Sequence, residues 1–161
     1  MVAILIIILS LLPMSVAEAA GPDSTPLYYS YTATVERVID GDTFRVKVYV
    51  WPGLEASTAV RIGGIDTPDL ELPKCEQERA LGVQAKELLS RILPAGSRVT
   101  IKEISPDKYF GRVGARVQTK DGKDVATQML SQGLARPYFG KGEKPDWCRE
   151  DKEHWTNGTR S

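Results

Sequence analysis

The chain is poor in the residues that would point to the commonest small metal or nucleic-acid modules. Its 161 residues contain one histidine, His154, and two cysteines, Cys75 and Cys148. One imidazole and two distant thiols cannot assemble a zinc-type cluster within a single chain. There is also no basic excess: 21 Lys and Arg face 21 Asp and Glu. Long-range attraction to a polyanion is therefore weak, and any nucleic-acid chemistry has to rest on a local site. No internal repeat or low-complexity block occurs. Strands and helices do not alternate along the chain, which excludes a doubly wound parallel sheet.

What is present begins with an apolar N-terminus. Val2 to Val16 is interrupted only by Ser10, Pro13 and Ser15, and Ala17-Glu18-Ala19 follows. This small-x-small ending reads as a signal peptide cut after Ala19, although no Lys or Arg precedes the apolar run. An uncleaved anchor is the alternative, but the run is shorter than the roughly 20 residues of a spanning helix. The expected organisation is a signal at 1–19, a linker at 20–28, a domain at 29–140 and an irregular tail at 141–161. The location is then secreted or periplasmic, with a monomer and no stable membrane association after cleavage. In an oxidising compartment an even cysteine count favours a Cys75–Cys148 disulfide over two free thiols.

Hydrophobic alternation predicts strands at Tyr29–Val38, Thr43–Trp51 and Thr58–Ile65. Asp40-Gly41 makes the first turn and Pro52-Gly53 the second. From Cys75 to Leu93 the apolar residues Leu81, Ala85, Leu88, Leu89 and Ile92 recur at helical spacing, and Pro94 and Gly96 stop the helix. Strands at Arg98–Ile104 and Gly111–Thr119 follow. A short helix then runs from its cap Asp124 through Gln132. Three strands, a helix, two strands and a helix is the order of a five-stranded OB-fold barrel, mainly β with α.

Charge collects where apolar runs end. Asp42 follows the first turn, and Asp66 ends the third strand beside Thr67. Two carboxylates, a backbone carbonyl (Thr67 is the candidate) and water suit a hard cation such as Ca²⁺. Ordinary Asp turn chemistry is the competing explanation. Arg61 and Arg112 offer planar forks that match phosphate oxygens; pairing with surface carboxylates is the alternative. Asp69 is placed to orient or deprotonate a water, with Glu71 and Glu76 nearby as alternatives.

Ile39-Asp40-Gly41-Asp42-Thr43-Phe44, Arg61 to Asp69, Asp107 to Arg112 and Gln132-Gly133-Leu134-Ala135 together resemble the staphylococcal nuclease (thermonuclease) family over about Tyr31 to Tyr138. The resemblance implies a Ca²⁺-dependent nuclease on an OB-fold that cuts DNA and RNA, favours single strands and leaves 3′-phosphate ends. It implies Asp42, Asp66 and Thr67 as calcium ligands, with Asp40 as an acid near the metal. Arg61 and Arg112 would grip the phosphate. Lys108 and Tyr109 would touch the terminal phosphate, and Tyr138 or Phe139 would stack a base. Two features depart from the family pattern. Asp69 stands where the family usually carries a glutamate, and Phe110 adds a residue between Tyr109 and Gly111. A catalytically weak or inactive OB module that binds oligonucleotide or protein is the alternative reading.

Overall fold

The computed structural model describes residues 30–149; the expected signal peptide, linker and His154 lie outside them. Strands β1 (Tyr31–Val38), β2 (Thr43–Trp51), β3 (Leu54–Ile62), β5 (Arg98–Pro106) and β6 (Arg112–Thr119) close a barrel in the order β1-β2-β3-β6-β5. All pairings are antiparallel except β3 with β6, which is parallel. Between them lie β4 (Ile65–Asp66) and helix α1 (Glu76–Ile92), and after β6 come α2 (Val125–Ser131) and β7 (Arg136–Pro137). This is the expected five-stranded barrel with two helices.

The period-two pattern sends Val35, Phe44, Val46, Val60, Val99, Ile101 and Val117 inward. Ala85 and Leu89 of α1, with Val125 and Met129 of α2, pack against this core. Asp124 caps α2 by accepting the Thr127 N–H at 2.8 Å.

Two expectations need correction. The third strand, expected over Thr58–Ile65, starts at Leu54 and ends at Ile62; Ile65–Asp66 is a separate strand, paired with β7. Gly64 takes a left-handed φ of 84° and turns the chain out of the barrel. The Leu54 end was missed because the β2–β3 hairpin runs on into solvent, so Tyr49, Val50, Trp51 and Leu54 are exposed and lose their alternation.

The buried stripe of α1 is Glu78, Gly82, Ala85 and Leu89, while the expected Leu81, Leu88 and Ile92 are only half-buried. Its first turns lean on a polar loop and not on the apolar core. A Cβ on Gly82 would lie 3.1 Å from the Pro68 carbonyl and 3.2 Å from that of Asp69, so glycine lets that loop approach the helix.

Cys75 and Cys148 form a disulfide, with Cα atoms 6.0 Å apart and a sequence separation of 73. A crosslink over a loop of that length limits the unfolded chain, and Cys148→Ser is expected to lower stability by about 4 kcal/mol. Guanidinium unfolding of both proteins tests this; midpoints that coincide with no added reductant would contradict it. Among the described residues no helix is long and apolar enough to cross a membrane.

Candidate active site

The site starts at the β1–β2 turn. Asp40 Oδ1 accepts the Asp42 N–H at 3.0 Å, which winds the turn tightly and delivers Asp42 to the start of β2. Gly41 is packed so closely that a Cβ there would lie 2.7 Å from Thr67 Oγ1 and from Ala85 Cβ. The turn carrying Asp42 and the segment carrying Thr67 therefore meet across that glycine. The Ile62 N–H also donates to the Asp42 carbonyl at 2.8 Å and ties the turn to the end of β3.

Arg61 reaches over this junction. Its Nη1 lies 3.0 Å from Asp42 Oδ2 and donates to the Ile65 carbonyl at 3.1 Å, and its Nη2 lies 3.2 Å from Asp66 Oδ1. One guanidinium so bridges two carboxylates that are 6% and 2% exposed. Burial pushes the Asp42 carboxyl up to about 7; Arg61 opposes the rise, and Asp40 and Asp66 add to it. Desolvation is the largest of these influences.

Asp66 has two further partners, from a segment expected to be irregular. Lys144 Nζ lies 3.0 Å from Oδ1, and the Trp147 indole N–H donates to Oδ2 at 3.4 Å. Burial, the largest single influence, would lower the Lys144 ammonium, but the hydrogen bond to Asp66 and the charges of Asp66 and Asp42 together outweigh it and the pKa is raised.

The second arginine stands on the same face of the barrel. In the parallel pair of β3 with β6, Arg112 is opposite Ala59, two residues from Arg61, and a two-residue step preserves the face. Arg112 Nη2 lies 3.0 Å from Asp107 Oδ1. Burial raises the Asp107 carboxyl, but the Arg112 hydrogen bond, the Tyr109 N–H and the charges of Arg112 and Arg61 bring it below the usual value. Arg112 Nε is buried with no hydrogen-bond partner, an unspent donor beside this cluster. The Tyr109 ring lies 4.5 Å from the Arg112 guanidinium and 5.0 Å from Lys108 Nζ. Phe110, next to Tyr109 in this loop, is wholly exposed.

Asp69 lies two residues past Thr67 and is exposed. Its Oδ1 accepts the N–H groups of Glu71 and Leu72, each at 3.0 Å, so one carboxylate oxygen is engaged in a local turn. Tyr138 is half-buried and donates its N–H to the Gly64 carbonyl; the exposed Phe139 lays its ring beside Gly64.

Sequence reasoning missed Glu78. This carboxylate, 5% exposed, accepts the Lys74 N–H at 2.6 Å and the Asp69 N–H at 3.3 Å, and so clamps the loop that carries Asp69. A signal for it existed: Cys75-x-x-Glu78 has the spacing of a capping box with cysteine at the cap.

Among the described residues no group of three or more His, Cys, Asp or Glu side chains is disposed to hold a metal ion. A set of two buried carboxylates with Thr67 beside them is all-oxygen, the donor chemistry of a hard cation and not of zinc or copper. The raised Asp42 carboxyl fits such a set, because added positive charge would relieve it.

The sequence pattern of the family described as "Staphylococcal nuclease homologue" matches residues 59–155. Endonuclease YhcR of Bacillus subtilis (strain 168) is 32% identical over 114 residues, which is 68% of this chain but 9% of that much longer protein. The matched stretch takes in Arg61, Asp66, Asp69 and Arg112, and the chain belongs to the staphylococcal nuclease homologue family.

Proposed function

We propose that the chain is an exported, monomeric, calcium-dependent nuclease that hydrolyses phosphodiester bonds of DNA and RNA, single strands preferentially, and leaves 3′-phosphate ends. The observation that carries this reading is the Arg61 guanidinium set between buried Asp42 and Asp66, with Arg112 and its unspent Nε on the same face. Family membership and the endonuclease name of the Bacillus relative support the reaction class. The apolar N-terminal run and the disulfide support export.

In this reading Asp42, Asp66 and the Thr67 carbonyl would hold Ca²⁺, which would supply positive charge to polarise a phosphoryl oxygen. Arg61 and Arg112 fork the phosphate and stabilise its extra charge in the transition state. Asp69 orients a water for in-line attack on phosphorus through the carboxylate oxygen that its turn leaves free. The water oxygen bonds to phosphorus as the P–O5′ bond breaks; the water's proton passes through Asp69 to solvent, and the departing 5′-oxygen takes up a proton from solvent. Lys108 and Tyr109 touch a terminal phosphate, and Tyr138 or Phe139 stacks a base.

The test uses purified residues 20–161 with single-stranded DNA and RNA in calcium, in magnesium and in chelator, beside Asp69→Glu. Cleavage in calcium that chelation abolishes is expected. The longer carboxylate is expected to raise turnover by up to about a hundredfold, since an acid misplaced by about 1 Å costs that much. The binding-module reading is favoured by the engagement of Asp69 Oδ1 in its turn. Saturable oligonucleotide binding without cleavage by either protein would establish that reading instead.

A further inference from the structure

The chain past β7 does not trail away. Pro137 leads into a strap that turns at Gly140 and Gly142, both left-handed at 76° and 78°, and returns to Cys148, which is bonded to the N-cap of α1. Its end is clamped three further ways. The Arg136 guanidinium stacks on the Trp147 ring at 4.3 Å, Arg136 Nη1 donates to the Asp146 carbonyl at 2.8 Å, and the Cys148 N–H donates to Asp146 Oδ1 at 3.0 Å. Arg136 is itself paired with Asp66 in the β4–β7 ladder, so strap and carboxylate share one support.

We propose that this strap tunes the affinity of the site for its divalent cation, with Trp147 fixing one oxygen of Asp66 and Lys144 competing with the cation for the other. The inference rests on the reading of Asp66 as a cation ligand. The two strap residues are built differently. Trp147 is 3% exposed, lies under the Arg136 stack and offers one immobile N–H to Oδ2. Lys144 is more than half exposed and meets Asp66 at the end of a flexible stem. A buried indole is a fixed holder, and a solvated ammonium is a displaceable one. Trp147 orients the acid as outer-shell partners orient metal ligands. Lys144 supplies positive charge where the cation would sit, so cation binding works against it.

Calcium binding to the disulfide-bonded protein, measured by calorimetry without substrate, separates the two roles. Lys144→Met is expected to tighten calcium binding about tenfold, and Lys144→Arg, which keeps the charge, to remain near wild type. Trp147→Phe, which keeps a ring for Arg136 but loses the N–H, is expected to weaken binding about tenfold. Structural damage does not produce the gain in affinity expected of Lys144→Met. Tight wild-type binding with Lys144→Met unchanged or weaker would overturn the proposal and leave the cation reading intact. No measurable binding of Ca²⁺, Mg²⁺ or Mn²⁺ by any of the four proteins would overturn both.

Discussion

Replacing Arg61 with alanine is expected to lower nuclease turnover by about 10²–10³-fold, the usual consequence of removing one preorganised donor to developing charge. It should also destabilise the metal-free protein by about 3–5 kcal/mol, because two largely buried carboxylates lose their shared counter-charge. The Ile65 carbonyl loses a donor in the same step, which loosens β4 beside the acids. The two effects separate with calcium. A divalent cation between Asp42 and Asp66 restores the missing positive charge, so saturating calcium should recover most of the stability. It cannot restore a phosphate fork, so activity should stay low. Arg112→Ala provides the contrast. Only Asp107 loses an ion pair, so a similar loss of turnover should come with a smaller loss of stability. Chemical unfolding with and without calcium, beside single-turnover cleavage, checks both. A folded Arg61→Ala protein that cleaves within a factor of ten of wild type would remove Arg61 from the phosphate site.

The parts of this arrangement that were legible in the sequence are those encoded locally. Asp40-Gly41-Asp42 specifies a turn whatever surrounds it, Asp124 caps α2 from one residue away, and alternation from Thr43 to Val48 sets the core face of β2. Arg61 could be marked as a charge inside an otherwise apolar strand and Arg112 as one at a strand start, but only the parallel register of β3 with β6 puts them on one face. Glu78 sits in the first turn of α1, where an acid is ordinary and draws no notice; its work is done on a loop nine residues earlier. Lys144 and Trp147 lie about 80 residues from Asp66, in a stretch whose glycines, prolines and charges carry no periodicity. The strap is held by a crosslink, a stack and a two-residue ladder, and none of these leaves a pattern that a window of neighbouring residues can show. Cysteine pairing was readable from the even count, and with it that Cys148 would pin the tail to the start of α1, but not that the pinned segment reaches Asp66.

The second large effect concerns pH. In the unfolded chain Asp42 titrates near 3.8, and in the folded protein burial raises it to about 7. Between those values the native state keeps a proton that the unfolded state has released. Metal-free stability should therefore fall as pH rises from about 4 to about 7, by up to about 1.4 kcal/mol per unit, and level off above. Asp107 has the opposite sign: its lowered carboxyl stabilises the fold above the unfolded value of 3.8 and loses that contribution as pH falls through the folded value. Lys144, raised above 10.5, contributes throughout this range and only loses its effect in strong alkali. The Asp42 window is thus free of the other two. If Asp42 holds calcium as proposed, it does so deprotonated; proton and cation then compete, and the calcium-induced rise in Tm should grow steadily from pH 5 to pH 8. Guanidinium unfolding in chelator across this range, with Asp42→Asn beside wild type, isolates the group. An amide has no proton to release there, so the variant should lack the Asp42 slope. A metal-free wild type that gains stability from pH 5 to pH 7, or an Asp42→Asn protein with an unchanged slope, would mean that the acid pair is already balanced by Arg61 and has no need of a cation.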